Sequence, residues 1–360
     1  MTQHYRSRSW LSVSGLVACV FSLFGCGTDE RPPAPGVPDR PNPNQPAVPL
    51  VASFAALRAK TDDVNEVRWD VALVLAEIST IAYGTKEEQI RRIRMLGADV
   101  VEPLEKGSSQ GVVASDAHSV VVAFRGTELT DPFDIITDIK IFGGRTPEGR
   151  THSGFLKSVD DLYGKAIAEA IRQGARNKIV WITGHSLGAA MAMVFGHRST
   201  VAGDVRPDGI VTFGQPLAVD SRICQYMLDK FQKDYVRFVN QRDPVTRLLP
   251  NYRHAGARVH LNGDTYSIRE PKISFSARDG SQAPPVEFEE DNPELRPMTE
   301  HEFQELDRRL KEQSPEATGQ FGAAVGFRIP ILSDHSMDDY VERLREIGTR
   351  KFKRPTGVAP

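Results

Sequence analysis

Lys-Ile-Val-Trp-Ile-Thr (178–183), Gly184-His185-Ser186-Leu187-Gly188 and Ala-Ala-Met-Ala-Met-Val-Phe (189–195) follow one another without a break. This stretch decides the fold. The apolar, β-branched run suits a buried parallel strand. The Ala/Met run suits a helix that packs close to that strand. Between them Ser186 must reverse the chain in a strained, positive-φ turn, and glycine two residues either side removes the side chains that would clash. Such a strand–Ser–helix elbow makes serine an acyl-transfer nucleophile, because the helix start aims free N–H groups at a developing oxyanion.

The same spacing recurs at Gly107-Ser108-Ser109-Gln110-Gly111. There it lies between Glu-Pro-Leu-Glu-Lys and Val-Val-Ala-Ser-Asp, which reads as a turn between two strands. Ser109 is therefore expected to be a loop residue without catalytic context.

Working outward, the 360 residues are 40% hydrophobic with a net charge of −2, enough to bury one large core or two smaller ones. No basic block occurs and the pI is about 6.5, which argues against nucleic acid as a partner. Three cysteines make no disulfide framework.

The N-terminus reads as an address. Arg6 and Arg8 precede an apolar run from Trp10 to Phe24, too short to span a bilayer comfortably and typical of a secretory signal. It ends Leu23-Phe24-Gly25-Cys26, which resembles a bacterial lipobox apart from the bulky Phe24. Residues 1–25 are then a lipoprotein signal peptide and Cys26 the lipidated residue, with an ordinary secretory signal or uncleaved anchor as the alternative. Eight prolines between Arg31 and Leu50 leave almost no large apolar side chain, so 26–50 read as a semi-extended tether. Cys224 would be the remaining free thiol, expected as an inert core residue. The implied location is the bacterial cell envelope, lipid-anchored and extracytoplasmic.

Residues 51–348 read as one α/β domain and 349–360 as a C-terminal tail. Apolar spacing predicts helices over 65–83, 86–96 and 155–173, with strands at 111–115, 119–125, 178–183, 209–213 and 234–240. The alternation implies a largely parallel sheet covered on both faces.

A serine hydroxyl needs a histidine to take its proton and a carboxylate to orient that histidine. In sheets that carry such elbows the chain order is Ser, Asp or Glu, His. Downstream histidines are His197 on the post-elbow helix, His254 and His260 beside a strand edge, His301 in the charged segment 300–312, and His335. His335 stands in Ser333-Asp334-His335-Ser336-Met337-Asp338-Asp339-Tyr340, a polar loop opening a helix over 337–347, where a half-exposed base belongs. Asp243 follows the strand 235–240 on the catalytic side of an open sheet, with Asp220 and Asp234 as rivals.

These residues carry a resemblance to the class 3 lipases, the family of the fungal triacylglycerol lipases and plant acylhydrolases. The landmarks are Val-Val-Ala-Phe-Arg-Gly-Thr (121–127), Thr-His-Ser-Gly-Phe (151–155) and Thr-Gly-His-Ser-Leu-Gly-Ala-Ala (183–190). Phe-Gly-Gln-Pro (213–216) with Arg-Asp-Pro-Val (242–245), and Asp-His-Ser-Met-Asp-Asp-Tyr (334–340), complete the set. The resemblance implies the α/β-hydrolase fold, with Ser186 as nucleophile, Asp243 as orienting acid and His335 as base. It further implies an oxyanion hole from the backbone N–H groups of Thr127 and Leu187, each donor worth roughly 3–4 kcal/mol in comparable enzymes. Residues 128–140 occupy the lid position. Phe133, Ile135, Ile136 and Ile139 would face lipid there, although four acidic residues in thirteen oppose an anionic surface and a fixed surface helix is the alternative.

Two departures stand out. The elbow ends Gly-Ala where the family commonly has Gly-Gly, and 91 residues separate Asp243 from His335, more than in compact members. The resemblance thus implies a serine carboxylic-ester hydrolase acting on triacylglycerol or other acyl lipids, without cofactor or metal. A short-chain or aryl-ester esterase is the rival within enzymes, and a non-catalytic envelope-binding module the rival outside them. The oligomeric state is not legible.

Overall fold

A computed structural model describes residues 49–59, 67–126, 144–146, 149–249, 251–269, 295–312 and 330–351. The expected signal peptide, Cys26, the tether up to residue 48, Thr127 and the lid position 128–140 lie outside the described residues. So does most of the tail.

In chain order the elements are α1 (Trp69–Ile81), α2 (Lys86–Met95), β1 (Val100–Lys106), β2 (Ser109–Ser115), β3 (Ser119–Phe124), β4 (Gly144–Thr146) and β5 (Gly149–Thr151). They continue as α3 (Ser153–Arg172), β6 (Ile179–His185), α4 (Leu187–Ala202), β7 (Gly209–Phe213), α5 (Ser221–Phe231) and β8 (Tyr235–Asn240). The last are β9 (Ala257–Asn262), β10 (Thr265–Arg269), α6 (Glu300–Glu312) and α7 (Met337–Lys351). The final helix thus runs four residues beyond the predicted 347.

Eight strands form one sheet in the order β1-β2-β3-β6-β7-β8-β9-β10, and β4 with β5 form a separate hairpin. Pairing is parallel from β3 through β9 and antiparallel at both margins. The expected α/β architecture, a mostly parallel sheet with helices on both faces, is what the chain forms. Because β3, β6, β7 and β8 advance across the sheet in one direction, crossovers of one hand put α3, α4 and α5 on one face. They pack there against Val120, Val122, Phe124, Val180, Ile182 and Ile210. The opposite strand residues, among them Val121, Trp181, Val211 and Phe213, pack with α1 and α7. Both faces being covered, every residue of β3 is buried, which is why it reads as an unbroken apolar run.

One expectation is corrected here. Ser109 is no loop residue: it opens β2, paired with Lys106, and is buried. The tight β1–β2 hairpin needs only Gly107 at φ 61° and Ser108 for its turn, so pairing resumes two residues earlier than the strand predicted at 111–115. No elbow forms there.

Candidate active site

The elbow takes the shape its glycines allow. β6 ends at His185, and Ser186 adopts φ 59° and ψ −127° before α4 begins at Leu187. That region is strained for any side-chain-bearing residue and persists only where the surroundings over-determine it. They do. A Cβ on Gly184 would stand 2.3 Å from the Gly188 carbonyl oxygen, and one on Gly188 would stand 2.3 Å from that of Phe124. The Ser186 N–H donates to the Phe213 carbonyl at 3.0 Å, locking the turn to β7. α4 is buried nearly all round, so the elbow sits on a rigid core element.

The register brings the ends of neighbouring strands to one level: His185 pairs with Phe213, and Phe213 with Phe238. Ser186, Gly214 and Asp243 therefore leave the sheet at the same carboxyl edge, where ligands of open α/β sheets bind. Asp243 follows β8 as the cap of a 3-10 turn, its Oδ1 accepting from the Val245 N–H at 2.9 Å. The His335 Nδ1 lies 2.8 Å from Asp243 Oδ2 and 3.0 Å from Oδ1. An ionised carboxylate only accepts, so the proton is on Nδ1 and the lone pair on Nε2. Gly214, at φ 58°, is the floor beneath this pair: a Cβ there would stand 2.8 Å from the His335 ring.

Ser186, Asp243 and His335 are all 0% exposed. This overturns the expectation of a half-exposed His335: the base lies under the start of α7, enclosed by His185, Gly214 and Asp243. The structure joins Asp243 to His335 directly. It does not join Ser186 to His335 by a hydrogen bond, and both Ser186 Oγ and His335 Nε2 are buried without a partner. Two buried groups of complementary type, an O–H and an imidazole lone pair, are thus left with unused capacity. Chemically the set can pass a serine proton to Nε2 while Asp243 holds the resulting imidazolium.

The rival residues are engaged elsewhere. Asp220 caps α5 and accepts from the Arg150 N–H. Asp234 lies in the 3-10 turn before β8, at the opposite end of that strand from Asp243. His197 packs edge-on against Tyr226, the His254 and His260 Nε2 atoms meet the Thr246 and Gln241 carbonyls, and His301 is exposed on α6. Burial pushes the Cys224 thiol up to about 12, which keeps it inert. Among the described residues no cluster of three or more His, Cys, Asp or Glu could hold a metal. Among the same residues no helix is long and apolar enough to cross a membrane.

Residues 121–253 match the family model for class 3 lipases. This segment is similar to the class 3 lipases. The chain is 29% identical over 164 residues to Lipase A of Sodiomyces alcalophilus, covering 37% of this chain and 39% of that one. It thus spans about two fifths of the length of that curated relative. Among solved structures it is similar to the Rhizomucor miehei triacylglyceride lipase, with 22% identity, TM-score 0.47, and 56% and 82% of the two chains covered. Lipase II of Rhizopus niveus gives 22% identity, TM-score 0.46, and 54% and 80% coverage.

The matched segment contains Ser186 and Asp243, whereas His335 lies beyond it, on the turn into α7. Leu187 opens α4, whose first N–H groups lack intrahelical acceptors. Two residues escaped the sequence reading. The Tyr340 O–H donates to Asp243 Oδ2 at 2.7 Å, and its oxygen accepts from the Asn240 N–H at 2.9 Å. Tyr83 meets the His185 Nδ1 at 3.1 Å. A tyrosine just past the first turn of the helix that His335 precedes was the available signal for Tyr340.

Tyr340→Phe removes one donor to the carboxylate and strands the Asn240 N–H. Its kcat/KM on a soluble ester should fall about 3- to 10-fold, with about 1 kcal/mol lost in urea unfolding. An unchanged rate would show that His335 and Val245 suffice to orient Asp243.

Burial holds His185 and His254 well below the ordinary imidazole value, assisted for His254 by the charge of Arg237. Folded, both stay neutral; unfolded, both titrate near pH 6.5. As pH falls below about 6.5 the unfolded chain binds protons that the folded chain refuses, so stability is lost toward acid. Urea midpoints between pH 8 and pH 5 should drop accordingly. His254→Gln, which keeps a donor for the Thr246 carbonyl, should flatten the slope.

Proposed function

We propose that the chain is a serine carboxylic-ester hydrolase of the class 3 lipase type, with acyl lipids such as triacylglycerols as substrates. One observation carries this: Ser186 in its strained elbow and His335 Nε2, bonded on its far side to Asp243, are both buried with hydrogen-bonding capacity unused. The relatives supply the lipid class, since they are named lipase and triacylglyceride lipase.

In this reading the Ser186 O–H proton passes to His335 Nε2 as Oγ bonds to the ester carbonyl carbon, whose π electrons move to oxygen. The backbone N–H groups of Leu187 and Thr127 receive that oxyanion. Collapse restores the carbonyl and breaks the bond to the alcohol oxygen, which takes the proton from Nε2. Water then attacks the acyl-enzyme, giving its proton to His335. Ser186 leaves with that proton and the carboxylic acid is released. Because Ser186 and His335 are enclosed, ester access requires displacement of the groups covering them. That suits a substrate met at an interface, with Phe133, Ile135, Ile136 and Ile139 as the apolar lid face.

Turnover of p-nitrophenyl esters from acetate to palmitate by the purified full chain tests this. An optimum at long acyl chains, with a rate jump above substrate solubility, supports the lipase reading. An optimum at acetate or butyrate replaces it with an esterase, and no turnover anywhere favours a binding module. We also propose that Cys26 carries the lipid that tethers the enzyme outside the cytoplasm, supported by Arg6, Arg8 and the apolar run 10–24. Labelled palmitate should enter the expressed chain and be lost in Cys26→Ala; equal labelling would refute the anchor.

A further inference from the structure

We propose that Tyr83 and His185 form a positioning relay for this hydrolysis, holding the main chain of His335 in register with the nucleophile elbow. The inference rests on the serine-hydrolase reading above and extends it to two side chains outside the triad. His185 occupies the variable position of the elbow, where any residue fits the turn itself. Here it is fully buried and bonded at both ring nitrogens. Its Nε2 lies 2.8 Å from the His335 carbonyl oxygen, 150 residues away in sequence. A carbonyl only accepts, so Nε2 carries the proton. The Nδ1 of the neutral ring must then accept, and the Tyr83 O–H, 3.1 Å away, donates to it. The His335 carbonyl thereby sets the tautomer of His185, and Tyr83, from the α1–α2 turn, donates to the nitrogen that carries no proton.

Tyr83 reaches a third segment as well. A Cβ on Gly126 would stand 2.4 Å from its hydroxyl oxygen and 2.7 Å from the His185 carbonyl oxygen, so the phenol packs directly against the Gly126 backbone. Gly126 directly precedes Thr127. One phenol therefore meets the end of β3, the end of β6 and, through His185, the turn that carries the base. Burial keeps that phenol protonated and able to donate.

The relay also has an electrostatic role. The His185 and His335 rings face each other with centroids 4.5 Å apart and an angle of 33°. When His335 takes the serine proton it becomes a cation, and a charged neighbour at that distance would oppose it. A His185 fixed as the neutral Nε2–H tautomer presents its proton to the His335 carbonyl and adds no charge. Both are positioning residues, acting through the His335 main chain to which His185 is bonded.

The test uses the full chain as wild type, Tyr83→Phe, His185→Gln, His185→Leu and the Tyr83→Phe/His185→Leu double variant. Readouts are p-nitrophenyl butyrate kinetics, labelling of Ser186 by an organophosphonate, and 15N shifts of the histidine rings. Tyr83→Phe should lower kcat about fivefold, the effect of one lost hydrogen bond, with KM moved less than about twofold. His185→Leu should lower kcat about 10- to 100-fold through misplacement of the base. His185→Gln keeps an N–H for the carbonyl and an oxygen for Tyr83, and should recover kcat to within about threefold of wild type. The double variant should match His185→Leu within about twofold, because both changes break one relay. In Tyr83→Phe the Nε2–H tautomer should persist, because the His335 carbonyl still accepts, while the 15N shift of His185 Nδ1 should report the loss of its donor.

Independent, multiplying losses in the double variant, an effect on KM alone, or an unaltered His185 Nδ1 shift in Tyr83→Phe would overturn the relay while the hydrolase reading stands. A wild type that neither turns over esters nor takes up the phosphonate would sink the hydrolase reading, and the relay with it.

Discussion

Ser186→Ala should lower kcat on p-nitrophenyl esters by about a millionfold, the loss seen when a triad nucleophile is removed, while leaving the folded chain intact. The structure separates the two effects. Ser186 Oγ has no hydrogen-bond partner, so its removal breaks no bond that holds the elbow. The Cβ remains, and the turn is held by the Ser186 N–H to the Phe213 carbonyl and by the Gly184–Gly188 contact. Stability should therefore stay within about 0.5 kcal/mol of wild type, read by urea unfolding. Turnover surviving in the variant at more than about one part in a thousand of wild type would assign the chemistry to another nucleophile.

Asp243→Asn should cost about 10,000-fold in kcat without disturbing the backbone, because it inverts the proton on His335 rather than removing a contact. Asp243 accepts from three donors at once: His335 Nδ1, the Tyr340 hydroxyl and the Val245 N–H. Asparagine offers a single oxygen. If that oxygen stays with the Val245 N–H, the amide N–H₂ faces Tyr340 and His335. His335 Nδ1 then becomes an acceptor, and the proton moves to Nε2, the atom that must accept from serine. The expected result is a nearly silent enzyme whose Ser186 also reacts slowly with an organophosphonate. The 15N shifts of His335 should report the Nε2–H tautomer. A loss below about tenfold would mean that Asp243 contributes little to the tautomer, contrary to its position between His335 and Tyr340.

Local sterics were legible in the chain. Gly184 and Gly188 announced a turn no other residues fit, and the runs on either side announced a buried strand and a buried helix. The alternating burial that sends Val120 and Val122 to one face of β3 and Val121 to the other is a period-2 property, visible in a continuous apolar stretch once both sheet faces are covered. Ser109 was misread because glycine spacing alone marks a turn but not where pairing resumes. The hairpin closed over two residues, and its register placed Ser109 against Lys106.

The candidate site divides in the same way. By itself the sequence determined the elbow and the sheet edge on which Asp243 must lie, because each follows from neighbours a few residues apart. Only the tertiary structure decided that Asp243 rather than Asp220 faces His335, that His335 is enclosed, and that Tyr340 and Tyr83 join the network. Those contacts span 92, 97 and 102 residues. They depend on strand register across β6, β7 and β8 and on how α1 and α7 pack over one sheet face. Such placement is fixed by the sum of the packed core, and no local pattern encodes it.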